Sequence, residues 1–506
     1  MKRYFTLLLA AVLVMSLAAC GESVQEEQTD NGAAPVDVTE AYSHASHIEL
    51  SDDMTETPAG VTLSRDIVYY EAGKDFTYGE GTEADEHSEE EAAEHLVVTI
   101  TEPGDYLLTG TLNRGQIAVD LGEEAKDDPD AVVTLIFGGA DISCTVAPAV
   151  IFYNVYECGD ANSPTKDVDT SAAGANVIIA DGTVNTVNGS YVARIYKSVV
   201  LSDDGTEVID SKKLHKYDGA FYSKMSMNVD GGALGNGSLR IQAENEGLDS
   251  EMHLTINGGS IAIDSGNDGI NTNEDGVSVT TVNGGNLTIT VNGSTGEGDG
   301  IDSNGWLVIN GGTVTAQGCS FSGDAGIDSD MGIYLNGGTV LAAGNMLDRI
   351  AGGNANYAVF QLREQKLDGP MQLKNTQGEM VLEWTPDAAY SYVIMSAPTL
   401  TEGDYTLWSG DTQLQHSGTA GGFGNRGPMG NMGGMQPPEG FDPENMQRPE
   451  GMELPEGFDP ENMQRPESME RPEAMRRPEG EDGMLPESGE ASEVFTITAG
   501  GNWFVM

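Results

Sequence analysis

"NEGLDS" (Asn245–Ser250), "NDGINT" (Asn267–Thr272), "GDGIDS" (Gly298–Ser303) and "DAGIDS" (Asp324–Ser329) are four writings of one phrase. Each sets a glycine before an aliphatic residue, then Asp or Asn, then Ser or Thr. Catalytic constellations are assembled once, from distant parts of a chain. A phrase repeated four times marks a structural rung or a stacked ligand site.

A second repeat keeps time with the first. "NGG" begins at Asn257, Asn283, Asn310 and Asn336, at intervals of 26, 27 and 26 residues. One residue before each Asn stand Ile256, Val282, Ile309 and Leu335, and three before stand Leu254, Thr280, Leu307 and Ile333. Four after stand Ile261, Leu287, Val314 and Val340, and six after stand Ile263, Ile289, Ala316 and Ala342. Alternation with a period of two on both sides of a turn predicts two short strands per repeat, each with one buried face. The GID-like phrase adds a third strand or corner, with Leu248, Ile270, Ile301 and Ile327 pointing inward.

Three short strands that repeat and stack describe a parallel β-helix. Coils would lie about 4.8 Å apart, so equivalent residues form ladders along the axis. Asn257, Asn283, Asn310 and Asn336 should make one, amide to amide. A propeller or a sandwich predicts no such alignment.

The rest of the chain frames this solenoid, read as residues 59–350. Residues 1–19 carry Lys2 and Arg3 before a short apolar run, the order of a secretory signal. That run ends in "LAAC" (Leu17–Cys20), which resembles a bacterial lipobox and implies cleavage before Cys20 and a lipid on its sulfur. The expected location is the extracellular face of the cell membrane. Residues 20–58 read as an acidic linker. Residues 351–420 with 493–506 read as a small antiparallel β-unit closing the solenoid. Between them, residues 421–492 are rich in Met, Pro and Glu and contain "PEGFDPENMQRPE" twice, a composition that predicts disorder.

The 506 residues include 81 acidic and 24 basic side chains, for a net charge of −57 that becomes −59 once Lys2 and Arg3 are lost. That charge excludes nucleic acid and anionic lipid as partners and attracts divalent cations. Membrane contact is expected through the N-terminal lipid alone, and the protein is expected to be monomeric. Cys144, Cys158 and Cys319 lack metal-ligand spacing, and two readings stand for them: a Cys144–Cys158 pair or buried free thiols.

The phrase concentrates oxygen ligands. Asp249, Asn271, Asp302 and Asp328 share one place in it, while Asp268, Asp299 and Asp324 fall just before the turns. Carboxylates a strand spacing apart repel unless a cation or water lies between them, and calcium accepts six to eight oxygens in irregular geometry. The competing reading makes each Asp a turn residue bonded to local backbone. His253, Trp306 and Tyr334 stand at outward positions, where aromatic faces would stack on sugar rings. For Trp306 the alternative is that it covers a neighbouring loop. A lyase needs a base beside its cation, and no Arg or Lys pair here is spaced as a catalytic set.

These motifs, together with "VVTLIFGGADI", "VIIADGTVNTV", "DGAFYSKMSMNVDGGALGNGSLRI" and "LTEGDYTLWSG", resemble a bacterial family of secreted, carbohydrate-binding domain-containing proteins. The resemblance implies a right-handed, pectate-lyase-like β-helix that binds calcium and the polysaccharides polygalacturonate and cellulose. It implies no established lyase activity. Three readings follow: a calcium-dependent polysaccharide-binding lipoprotein, a calcium-dependent lyase, or a structural surface protein.

Overall fold

The computed structural model describes residues 37–73, 81–201, 208–366, 369–416 and 492–506. The expected signal at 1–19 and Cys20 lie outside these residues. So does the insertion read at 421–492, except for Ser492, which bridges to His416. Helix among the described residues is confined to Val38–Ala41, Glu89–Ala92 and two 3-10 turns. The chain is all-β, with large parallel-rich sheets.

Three columns of strands carry the repeat. The first runs, neighbour to neighbour and parallel throughout, from Ser46–Leu50 through Gly104–Leu112, Val133–Ser143, Ala175–Ile179 and Met227–Gly231. It continues through Leu254–Ile256, Val279–Val282, Trp306–Ile309 and Gly332–Leu335 to Ile350–Gly352. The second contains Val184–Gly189, Ser238–Ala243, Ser260–Ser265, Asn286–Val291, Thr313–Gln317 and Thr339–Gly344. The third contains Leu96–Ile100, Gly115–Asp120, Val150–Asn154, Gly219–Ser223, Glu246–Ser250, Ile270–Thr272 and Ile301–Ser303.

Register follows the letters of the repeat. Leu254, Thr280, Leu307 and Ile333 stand over one another, as do Ile261, Leu287, Val314 and Val340. Leu248, Ile270 and Ile301 do the same in the third column. The fourth phrase forms no strand, yet Asp328 donates its N–H to the Ile301 carbonyl at 2.7 Å and Ile327 is buried. Inward side chains from all three columns meet in one hydrophobic core. Hydroxyls that point inward are paired, as with Thr272 and Ser303 at 2.8 Å.

The two glycines of each NGG turn do different work. The second lies in the left-handed region, at φ 82° for Gly285, 76° for Gly312 and 78° for Gly338, where L side chains are strained. The first meets the neighbouring turn closely: a Cβ on Gly284, Gly311 or Gly337 would lie 2.5–2.7 Å from the carbonyl oxygen of the preceding ladder asparagine. Stacking at strand spacing therefore requires both.

Two parts of the chain depart from the sequence expectation. The linker read at 20–58 contains the strand Ser46–Leu50, because Ile48 and Leu50 alternate into the core. Two buried residues are too few to register as a period. Within 59–350, Val61–Ser64 pairs antiparallel with Leu96–Ile100, and Val192–Leu201 with Val208–Tyr217 forms an antiparallel hairpin. At the other end, Tyr390–Ser396 pairs antiparallel with both Thr339–Gly344 and Tyr357–Lys366, and Gly501–Val505 runs beside the latter. Phe360, Phe495 and Phe504 centre a second core there.

Close packing of the turns has a measurable consequence. Gly311→Ala places a methyl 2.5 Å from a backbone oxygen, whereas Gly323 has nothing within 4 Å of its Cβ position. Gly311→Ala should cost roughly 2–4 kcal/mol in a denaturant melt, and Gly323→Ala should stay within about 0.5 kcal/mol of wild type.

Candidate acidic site and outer groove

Two rows of oxygen ligands flank the third column. Residues just before its glycines are Glu246, Asp268 and Asp299, and residues after its aliphatic positions are Asp249, Asn271, Asp302 and Asp328. The geometry separates them by role. Asp268 Oδ1 accepts the Asp299 N–H at 2.6 Å, and Asp299 Oδ1 accepts the Ala325 N–H at 2.5 Å, so each carboxylate pins the backbone of the next repeat. Asp324 accepts the N–H of Gly298, 26 residues upstream, at 2.7 Å and the hydroxyl of the nearby Ser322.

Asp299, Asp302 and Asp328 converge, with a carboxylate oxygen from each lying within 4.8 Å of the others. All three are half-buried. On the two preceding strands of the column, Asn271 on the nearer and Glu246 and Asp249 on the farther are buried, and each leaves a side-chain oxygen without a hydrogen-bond partner: Glu246 Oε2, Asp249 Oδ2 and Asn271 Oδ1. Their other atoms are engaged. Asn271 Nδ2 donates to Glu246 Oε1 at 3.0 Å, and Asn273 Nδ2 donates to Asp249 Oδ1 at 2.6 Å.

Burial sets the electrostatics of this wall. It pushes Asp249, Asp268 and Asp299 well above the usual carboxylate range, with the charges of their acidic neighbours adding to the effect. Burial raises Glu246 to about 7, with Asp218 reinforcing it. Asp302 is pushed up to about 6 by burial and Asp330, and Asp328 to about 8 by burial and Asp348.

Positive charge enters at one end. Arg194 Nη2 lies 3.1 Å and Lys216 Nζ 3.9 Å from Asp218 Oδ2, and Lys216 also donates to Asn273 Oδ1. Burial opposes the Lys216 charge, but Asp249, Glu246 and Asp218 outweigh it and raise its pKa.

An all-oxygen donor set, with orphaned acceptors and raised carboxylates, fits a hard divalent cation. Asp299, Asp302 and Asp328 would hold it, and such an ion reverses the cost that burial imposes on their charge. Glu246 and Lys216 escaped the sequence reading. Glu246 was legible, since it stands where Asp268 and Asp299 stand in later copies. Lys216 was not, because it arrives from outside the repeat.

The aromatic candidates divide. His253 is buried, contrary to its expected outward role. It accepts the Val279 N–H on Nδ1 at 3.1 Å and borders a cavity of about 190 Å³ beneath residues 158–169. A segment more than 80 positions upstream covers it, which strand alternation cannot foresee. Trp306 and Tyr334 are half-buried on the outward face of the first column, and the Lys166 ammonium lies 5.2 Å from the Tyr334 ring centre. The three described thiols, Cys144, Cys158 and Cys319, are free.

The same outward face floors a groove of about 460 Å³, bordered by the asparagine turns. Those asparagines form the expected ladder. Asn283 donates to Asn257, Asn310 to Asn283 and Asn336 to Asn310, each at 2.8 Å.

Comparison with known proteins gives a family and two relatives. The family described as carbohydrate-binding domain-containing protein matches residues 94–412. A carbohydrate-binding domain-containing protein of Acetivibrio thermocellus is 27% identical over 167 residues, which are 33% of this chain and 44% of the relative. The chain thus aligns with less than half of that protein. A polysaccharide lyase-like protein from C. thermocellum, solved as a gadolinium derivative, aligns at 20% identity and a TM-score of 0.35. That alignment covers 61% of this chain and 99% of the other.

The raised carboxylates fix the sign of a pH effect. Glu246, Asp302 and Asp328 bind protons more tightly folded than unfolded, so their contribution to stability is fullest at low pH. With chelator present, it should be lost as pH rises from about 4 to about 8. Denaturant melts across that range should show the fall. Glu246→Gln should flatten the part between 4.5 and about 7.

Proposed function

Because the chain belongs to the carbohydrate-binding domain-containing family, we propose that it is a cell-surface lipoprotein that binds polysaccharide, with calcium at its acidic wall. The convergence of Asp299, Asp302 and Asp328 carries this reading. At a net charge of −57 the chain repels a polyuronate, so a shared cation is what would allow the two to meet. Calcium, when bound, supplies a bridge between carboxylates of the wall and those of a glycan such as polygalacturonate.

The protein's own residues would do the rest. Asp302 and Asp328 present half-exposed oxygens, and Asp299 is oriented by the Ala325 N–H. Trp306 and Tyr334 offer apolar faces on another side of the molecule. We read the three columns as successive coils of a right-handed parallel solenoid. The regular 26- and 27-residue intervals and the shared core support that reading. Attachment through a lipid on Cys20 rests on the Leu17–Cys20 motif.

Binding without catalysis is favoured by the state of the buried cations. Lys216 is mostly enclosed and already bonded to Asn273, and Arg194 is paired with Asp218. One observation favours a lyase instead: Lys216 lies within electrostatic reach of Asp302.

Retention of the purified chain on immobilised polygalacturonate and on cellulose, with calcium or with chelator, tests the reading. Retention on polygalacturonate should require calcium and fall severalfold in Asp302→Asn, with no growth of unsaturated-product absorbance. Growing absorbance would identify a lyase. Equal retention in chelator would remove calcium from the mechanism, and no retention on any glycan would leave a structural surface protein.

A further inference from the structure

The groove on the outward face has no part in the acidic wall, and its chemistry differs. Its floor is a row of stacked residues, Asn176, Asn228, Thr255, Thr281 and Val308, with Tyr334 next in register. The asparagine ladder runs along one side. Residues 166–171 form a strap over it. Thr170 fastens the strap, its hydroxyl bonding Asn228 Oδ1 at 2.8 Å and Thr255 Oγ1 at 2.7 Å, while Asn228 Nδ2 donates to the Thr170 carbonyl at 2.8 Å.

The ladder is polarised. Every amide donates in the same direction along the stack, and the row ends at Asn257, whose amide favours the charged form of the Asp230 carboxylate. Hydrogen bonds aligned head to tail strengthen one another, and an anion at the accepting end reinforces them. Asn283 and Asn310 each spend one N–H and one lone pair on the ladder and keep one of each. The result is a donor and an acceptor repeated about every 4.8 Å along a straight line.

A linear polysaccharide presents the complement of that line. Its hydroxyls both donate and accept, and they recur with every sugar. Charge selects among such polymers. Asp167, Asp169 and Asp230 border the groove against the single cation Lys166 among the lining residues, which disfavours a polyanion.

We propose that this groove is a second glycan site, which holds an extended, uncharged polysaccharide along the asparagine ladder without a divalent cation. The proposal rests on the polysaccharide-binding reading and adds to it a separate place on the molecule that needs no divalent cation.

Affinity electrophoresis of the full-length chain through gels containing hydroxyethylcellulose, with chelator throughout, tests it. Wild type should be retarded. Asn283→Ala and Asn310→Ala should each weaken binding about tenfold, the loss expected from one or two hydrogen bonds to hydroxyls. Thr281→Arg fills the floor from an outward position and should abolish binding while leaving the melting temperature near wild type. All three should keep calcium-dependent retention on polygalacturonate. Retardation unchanged in Asn283→Ala and Thr281→Arg would overturn the groove as the site. Wild type that ignores the neutral polymer yet binds polygalacturonate would overturn the second site alone, and wild type that binds neither would overturn both readings.

Discussion

Parallel pairing in register sets like over like, and the rest of this structure depends on that constraint. Strands about 4.8 Å apart bring each residue against its counterpart in the next strand of the column. Aliphatic residues profit, because stacked Leu, Ile and Val exclude water from a continuous core. Asparagines profit too, since an amide is its own hydrogen-bonding complement. Carboxylates do not, and the third column is where the molecule has to manage them.

It manages them by several means within a short distance. Backbone amides of the following repeat neutralise part of Asp268 and Asp299. Asn271 interrupts the row and bonds Glu246 in place of repelling it. Lys216 and Arg194 bring fixed positive charge to Asp218 and its neighbours. Asp299, Asp302 and Asp328 form no ion pair among the described residues, and the distant Lys216 charge offsets burial only in part at Asp302. The departures from a perfect repeat are thus concentrated where a perfect repeat would be electrostatically untenable.

The sequence disclosed whatever the repeat itself encodes. Strand positions, the inward row from Leu248 to Ile301 and the asparagine ladder all follow from period and spacing, because stacking turns sequence interval into contact. The Asp299–Asp302–Asp328 group was legible for the same reason. What stayed hidden arrives from elsewhere in the chain. Lys216 comes from an antiparallel hairpin, the cover over His253 from residues 158–169, and the strap over the groove from residues 166–171. Such insertions obey no period, so their contacts exist only in three dimensions. Ser46–Leu50 was missed for a simpler reason: two buried residues do not make a pattern.

A stack of near-identical rungs is also a template, since its last strand offers the same open edge as every strand before it. In the second column that edge belongs to Thr339–Gly344, and it is taken by Tyr390–Ser396 running the opposite way. An antiparallel partner ends the repeat of direction, and Tyr357–Lys366 and Gly501–Val505 continue a sheet with a different residue pattern. Without that reversal, the surface that joins coil to coil would serve equally to join one molecule to the next, as in a growing fibre. The reversal closes that edge of the second column to any further parallel strand.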